Sequence, residues 1–369
     1  MSEEPLRFAV IGVGAIIFGE HRRGLEAINA RVVAACDIDE GRGRARADEL
    51  ACPLYTDHRA LLADHTPDVV AVMTPHPSHA AIAIDCLDAG CHVLVEKPIG
   101  VQPGEADAMI AAADRAHRLL AVNFQQRLRP EVRGARQLLA QGCLGQIQYA
   151  HLAVTWTRTA AYYRASSWRG TWRGEGGGVL LNQAPHDLDL LCHLVGMPSR
   201  VAAWTRTRLH QIETEDTVSA LLEWPGGASG LFHASTAEAG HPATLEIIGT
   251  QGRLLLEPGA VTFTRLASDV RDFVVQSQAL FDSPELIPEP VALPDDAPGD
   301  HVAIYRDLER AIRSGAPVIA DGREGRMSLE LANAMIYASH QGREVALPLD
   351  RDAYAGLLAE LRAKGKPVA

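Results

Sequence analysis

Arg7–Gly19, RFAVIGVGAIIFG, is the stretch from which the fold is read. Arg7–Gly12 is short, apolar and broken by glycine, as a buried strand should be. Gly12, Gly14, Ala15 and Ile16 follow, and a helical stretch continues to about Asn29. A strand, two glycines and a helix start form a phosphate cradle. Glycine lets the backbone approach closely, and the exposed amides and helix dipole favour negative charge. The third position of the fingerprint holds Ile17, and the next glycine is Gly19.

The pattern repeats outward. Arg31–Cys36, RVVAAC, reads as a second strand ending at Asp37, roughly 20 residues after the cradle, where the dinucleotide fingerprint expects an acid for the ribose hydroxyls. A carboxylate there repels the extra phosphate of NADP, so NAD is favoured. Arg42, Arg44 and Arg46 read as the solvated face of a helix. Asp57–Asp64 predicts a helix and Asp68–Thr74 a buried strand. The run Thr74-Pro75-His76-Pro77-Ser78-His79 is a stiff loop suited to walling a flat ligand, with Ser78 capping a helix over His79–Ala89. His92–Val95 is a further strand, closed by Glu96-Lys97-Pro98. Ligands of open parallel sheets lie beyond the carboxyl ends of the strands, which places Glu96 and Lys97 at a cofactor. A helix near Glu105–Arg118 and a strand Leu119–Phe124 complete the pattern. Six strands with five intervening helical stretches imply a doubly wound parallel α/β sheet.

The chain of 369 residues is long enough for two domains. A net charge of -11 argues against nucleic acid or an anionic membrane as partner. No run approaches the roughly 20 apolar residues of a membrane helix, and the acidic start MSEEPLRFAV reads as no signal peptide. The cysteines are scattered without C-x-x-C, as expected of reduced thiols in a cytoplasmic protein, and no metal site is expected.

The domain boundary is placed near Asn123–Pro130, giving domains 1–124 and 125–369. Gly145–Arg158 predicts a long strand. The loop Arg158–Gly178 is rich in Trp, Tyr, Arg and Gly, which suits a sugar with its apolar face and hydroxyl rim, or a subunit contact. Arg164 and Trp168 are its candidate substrate contacts. From Gly178 a helix is predicted to about Val195, which would put Asn182 and His186 on one face. Segments between Arg200 and Arg265 alternate and turn at glycines, as in an antiparallel meander. A second copy would cover the open face of such a sheet, giving a homodimer or homotetramer. Asp282–Gly299 reads as a surface excursion. Helices at Asp300–Ser314 and Gly325–His340 are expected to fold back beside this second sheet.

Taken in order, Gly12-x-Gly14, Asp37, Thr74-Pro75…His79, Ala89-Gly90…Glu96-Lys97-Pro98 and Gly176-Gly177-Gly178…His186 carry a family resemblance. The chain resembles the Gfo/Idh/MocA family, the glucose–fructose oxidoreductase and inositol dehydrogenase group, over nearly its full length. The resemblance implies an N-terminal Rossmann domain and a C-terminal α/β domain with a large, mostly antiparallel open sheet. It also implies NAD(P)-dependent oxidation or reduction of sugars and cyclitols. The lysine of Glu96-Lys97-Pro98 and His186 would serve the reacting hydroxyl, with His186 as general base. Members often carry Asp at the position of Asn182. Asparagine cannot relay a proton, so Asn182 is expected to orient the ring or His186. The cofactor set is Gly12, Gly14, Ala15, Ile16, Asp37, Thr74, Pro75, His76, His79, Glu96 and Lys97. The substrate set is Lys97, Arg164, Trp168, Asn182 and His186. Two rival functions fit the same residues: a glycosidase that retains NAD and oxidises C3 transiently, and a non-catalytic sugar or cofactor sensor.

Overall fold

The computed structural model describes all but residues 1–3, 241, 295–298 and 366–369. The chain divides into two units. In the first, β1 (Arg7–Ile11), α1 (Phe18–Ala27), β2 (Arg31–Cys36), α2 (Glu40–Glu49), β3 (Leu54–Tyr55), α3 (His58–Asp64), β4 (Val69–Val72), α4 (His79–Asp88), β5 (His92–Val95), α5 (Pro103–Ala116) and β6 (Leu120–Val122) alternate. The strands form one six-stranded sheet in the order β3-β2-β1-β4-β5-β6, all neighbours parallel. The order reverses between β1 and β4, and in such sheets the ligand crevice opens there. β4 is wholly buried and β1 nearly so, as helices on both faces require. β3 is only two residues long, too short for periodicity to reveal. Ser78 does not cap α4 as expected. A 3₁₀ turn over His76–Ser78 precedes that helix, and the Ser78 hydroxyl donates instead to Thr74 Oγ1 (2.8 Å) and Pro75 O (2.7 Å).

The second unit opens with α6 (Pro130–Ala140), β7 (Ile147–Thr155), α7 (Ala160–Arg164), α8 (Val179–Asn182) and α9 (Pro185–Val195). There follow β8 (Arg200–Arg206), β9 (Thr217–Glu223), β10 (Ser229–Ser235), β11 (Thr244–Gly249), β12 (Gly252–Glu257), β13 (Ala260–Leu266), α10 (Val270–Gln276) and β14 (Leu286–Glu289). The chain ends with α11 (His301–Ser314), α12 (Gly322–Gln341), β15 (Val345–Ala346) and α13 (Arg351–Lys364). Nine strands form the second sheet in the order β14-β13-β12-β11-β7-β10-β9-β8-β15. Only β7 and β10 pair in parallel; the other neighbours are antiparallel. One correction concerns 282–299. Within it Leu286–Glu289 pairs with β13 and forms an edge strand, where Pro288 costs little. On one face Leu152, Val218, Phe232 and Ile247 are buried. On the other, Trp204, Leu221 and Leu231 are exposed, and Leu221 stands opposite Leu231 in register.

The largest departure from expectation is α11. It lies not beside the second sheet but in the first unit, which takes Gly299–Leu329 and Arg173–Gly176 in addition to the chain up to Leu128. A single division after residue 124 therefore leaves out these returning segments. His301, Ile304, Tyr305, Leu308 and Ala311 are buried at helical spacing. Ile304, Tyr305 and Leu308 join the core of Phe8, Phe18 and Leu25. The periodicity of α11 reveals an apolar stripe but not which sheet that stripe covers. Gly24 makes the contact possible, because a Cβ there would stand 2.3 Å from Cδ2 of Tyr305. Gly24→Ala should accordingly lower the stability of the protein by about 1–3 kcal/mol through overpacking, read from urea unfolding. An unchanged midpoint would contradict this packing.

Candidate active site

One group of candidate residues is built on the strand ends of the parallel sheet. Gly12 has φ +87°, and a Cβ on it would lie 2.8 Å from the Thr74 amide nitrogen, so only glycine fits. The Gly14 amide donates to Asp37 Oδ2 (2.7 Å) and the Asp39 amide to Oδ1 (2.9 Å). Asp37 thus holds the glycine turn as well as standing at the end of β2. Ile16 and Ile38 flank it and are 91% and 92% exposed, an apolar surface that a flat ring would cover. Gly19 does not supply the missing close-packing glycine, since a Cβ there meets nothing within 4 Å, and the close contact of Gly24 is with Tyr305 of α11. Arg42, Arg44 and Arg46 pair with Asp39, Glu40 and Glu49, consistent with a solvated helix face.

The loop after β4 brings Thr74, Pro75 and His76 to the same end of the sheet. Pro75 is exposed and Thr74 half-buried. Burial and the charges of His79 and Lys97 push the His76 imidazole down to about 3, so its ring is neutral; Nδ1 lies 3.4 Å from Glu175 O. His79 is placed differently from expectation. It is 0% exposed, with Nδ1 2.9 Å from Pro98 O and Nε2 2.7 Å from Thr74 O. It is a strut that ties the proline loop to the Glu96-Lys97-Pro98 turn from behind, not a surface contact.

Glu96 ends β5 and turns inward, while the Lys97 side chain remains half-buried. Glu96 Oε1 lies 2.9 Å from His21 Nε2 and 3.6 Å from His301 Nε2, and it accepts a hydrogen bond from Asn123 Nδ2. Oε2 accepts from the Lys97 amide (3.2 Å), and Nδ1 of His21 lies 2.9 Å from the Tyr305 hydroxyl. Burial pushes the Glu96 carboxyl up, yet the hydrogen bond from His21, the nearby His301 ring and the charges of His21 and Lys97 hold it well below the usual carboxylate range. Sequence reasoning missed His21, Asn123, His301 and Tyr305. No spacing rule links His21 to residues almost 300 positions later.

A separate group of candidate residues lies in the other unit. The predicted single helix from Gly178 to Val195 is two helices. α8 ends at Asn182, and α9 begins at Pro185. Proline has no amide hydrogen to continue the first helix and is well suited to start the second. Asn182 and His186 therefore do not share one helix face by periodicity. Asn182 closes α8, and His186 stands half-buried in the first turn of α9. Tyr162 donates its hydroxyl to Asn182 Oδ1 (3.2 Å) and accepts from Gln183 Nε2 (3.1 Å). The Arg169 guanidinium lies 4.1 Å from the Tyr162 ring centre and 5.2 Å from that of Trp168. Trp168 and Asn182 thus belong to one aromatic and cationic cluster, while Arg164 is exposed at the end of α7. Tyr162 and Arg169 were legible only as members of the aromatic, arginine-rich loop.

Glu215 anchors this second group. Its Oε1 accepts from the amides of Gly178 (2.8 Å) and Leu180 (3.1 Å), and its carbonyl accepts from Val179 (2.9 Å). A Cβ on Gly178 would sit 1.9 Å from that carbonyl oxygen. Burial pushes the Glu215 carboxyl up to about 7 against these amides, with Asp216 adding to the rise. An unfolded glutamate titrates near 4.3. Between these values the folded protein keeps a proton that the unfolded chain has lost, so stability falls as pH rises. The fall should be about 3 kcal/mol between pH 4.5 and 8, and Glu215→Gln should flatten it, as read from denaturant midpoints across that range. A slope unchanged in the variant would exclude Glu215 as its source.

The profile of the oxidoreductase family with an NAD-binding Rossmann fold matches residues 6–124, and that of the GFO/IDH/MocA C-terminal domain matches residues 132–255. Trans-1,2-dihydrobenzene-1,2-diol dehydrogenase of Bos taurus is 31% identical over 259 residues, 69% of this chain and 75% of that protein. The chain belongs to the Gfo/Idh/MocA family of oxidoreductases. Another relative is the D-glucoside 3-dehydrogenase of Escherichia coli K12, 30% identical over 61% of this chain and 63% of that protein. The structure of the WlbA dehydrogenase from Bordetella pertussis, in complex with NADH and UDP-GlcNAcA, superposes with a TM-score of 0.80 at 28% identity, covering 94% of this chain and all of that one. Levoglucosan dehydrogenase, at 22% identity and a TM-score of 0.79, shares the fold over 94% of this chain. Within the Gfo/Idh/MocA fold, Lys97 stands in the first unit and His186 in the second. No helix among the described residues is long and apolar enough to cross a membrane, and none of the cysteines forms a disulfide.

Proposed function

We propose that this oxidoreductase transfers hydride between NAD and a secondary ring hydroxyl of a sugar, glycoside or cyclitol, inositol included, with Lys97 and His186 acting at the same oxygen. The observation that carries the reading is the Lys97 turn. A half-buried ammonium stands at the carboxyl end of a central parallel strand, beside a glycine cradle that a Cβ would fill. The curated relatives support a shared target. A trans-1,2-diol and a glucoside both present a ring carbinol beside another hydroxyl.

NAD, when bound, would supply the hydride acceptor for the carbinol carbon. His186 takes the hydroxyl proton as the C–O bond becomes a carbonyl, and in the reverse direction Lys97 polarises the carbonyl or returns the proton. Lys97 donates a hydrogen bond to that oxygen and stabilises the charge it gains. Asn182, held by Tyr162, orients a neighbouring hydroxyl, and the Trp168–Arg169–Tyr162 cluster offers the ring an apolar face. Gly12, Gly14, Ala15 and Ile16 would cradle the pyrophosphate. Thr74, Pro75 and neutral His76 would wall the nicotinamide. Glu96 would serve cofactor and lysine from behind. Arg164 is a contact for the outer part of a glycoside. Asp37, with its arginine neighbours paired to acids, favours NAD over NADP. The exposed Trp204, Leu221 and Leu231 support a homodimer or homotetramer formed through the second sheet, and the low thiol pairing suits a cytoplasmic enzyme.

Lys97→Ala and His186→Ala should each lower turnover by about 10²–10⁴-fold on a panel of monosaccharides, glucosides, inositols and trans-diols, with NADH binding followed by fluorescence kept within a few-fold. Near-native NADH formation in both variants would remove the proposed chemistry. Asp37→Asn, which keeps an oxygen to accept from a turn amide, should lower kcat/KM for NAD by about 10–100-fold, the loss of charged hydrogen bonds, while sparing NADP. Equal losses with both cofactors would refute the assignment of NAD preference to Asp37.

A further inference from the structure

Of the buried cluster beside Lys97, Glu96 alone has been given a part in the chemistry described so far. Its members come from four places in the first unit: His21 from α1, Glu96 from the end of β5, Asn123 just after β6, and His301 with Tyr305 from α11. His21 is 1% exposed and Tyr305 0%. A carboxylate buried this deeply is stable only when paired and hydrogen-bonded. Here the pairing is one-sided. His21 and Asn123 converge on Oε1, and the Lys97 amide takes Oε2. The Tyr305 hydroxyl fixes the other nitrogen of His21, which sets the orientation of the ring.

We propose that His21, Tyr305 and His301 are positioning residues that hold Glu96 as a permanent anion behind Lys97, so that α11, from far along the chain, sets both the place and the charge of the reacting ammonium. The inference rests on the reading of Lys97 given above. An adjacent carboxylate favours the charged form of a lysine, whereas burial favours its loss. The charged and titratable groups facing Glu96 are His21, His301 and Lys97, with His76, His79 and Tyr305 coupled to it through space. Of these, His76 and His79 are held below the ordinary histidine range, foremost by burial. That leaves Lys97 as the cation on the ligand side of the anion.

His21, Glu96 and His301 also bring one donor atom each within 4.8 Å of one another, a spacing a divalent cation would accept. The cluster is better explained without one. Glu96 Oε1 already receives two N–H groups, and both nitrogens of His21 are engaged.

The test is the pH profile of ketone reduction with NADH, using the keto product of whichever panel alcohol is turned over. Glu96→Gln and His21→Leu should both move the alkaline limb of kcat down by about one pH unit, the effect of removing an opposite charge at 4–6 Å. The double variant should move it no further. Tyr305→Phe, which keeps the ring and its packing, should move it in the same direction by less. Glu96→Asp should restore the limb even if the rate stays low. The inference is overturned if the variants lose stability or rate with the limb fixed, for then the cluster is only structural. It is equally overturned if purified protein carries a stoichiometric divalent metal that His301→Ala releases, by elemental analysis. Lys97→Met separates the two readings. Wild-type turnover in that variant defeats the proposed chemistry itself, whereas abolished turnover together with an unmoved limb in Glu96→Gln defeats only this inference.

Discussion

The molecule depends on one buried negative charge. Glu96 lies just past the end of a central strand, largely buried, and its carboxylate is tolerable there because His21, Asn123 and the Lys97 amide surround it. Desolvating a carboxylate costs several kcal/mol, and removing one member of such a group leaves the others uncompensated. The first unit is therefore incomplete without α11, although more than 170 residues intervene between Leu128 and His301. Tyr305 enters a notch that Gly24 leaves in α1, and its hydroxyl reaches His21 from there. Packing and electrostatics meet in this residue. Its ring fills the core below the sheet, and its oxygen sets the histidine that sets the carboxylate.

The two groups of candidate residues, one in each unit, are fixed by different physics. Lys97 is positioned by a strand end, by a turn pinned through His79, and by a charge behind it. His186 and Asn182 are positioned by a helix break. Pro185 ends the run of amide donors, and Glu215 gathers the amides of Gly178 and Leu180 at the start of α8. Each group thus has a buried glutamate as its anchor, but of opposite character. Glu96 has a histidine donor, an amide donor and a lysine beside it and is held ionised. Glu215 has only backbone amides and a neighbouring aspartate, and its carboxyl is pushed up to about 7.

Much of this was legible in the sequence. The doubly wound sheet followed from the alternation of apolar runs and glycine turns, and β2 was bounded as observed because Arg31 and Asp37 frame it. Asp37 and the Gly12 turn were found because both have fixed spacings imposed by a ligand. What escaped notice lacked such spacing. α11 showed its stripe but not its destination, since amphipathic periodicity says that a face is buried and not against what. His21 looked like one histidine on one helix, and its partners lie 75 and 284 residues away. The break at Pro185 was visible as a proline, yet the apolar positions Leu188, Leu191 and Val195 continued the pattern across it and favoured one helix. His79 was placed at the ligand by its loop, whereas two carbonyls hold it behind that loop.

The central claim is that an ammonium and an imidazole act on one carbinol oxygen next to NAD. A crystal structure of the protein with NADH and the best alcohol of the panel tests it most directly. The expected result is one hydroxyl oxygen within about 3 Å of both Lys97 Nζ and His186, its carbon facing the nicotinamide. An alcohol held by only one of the two, or by neither, with its carbon turned away from the cofactor, would contradict the mechanism.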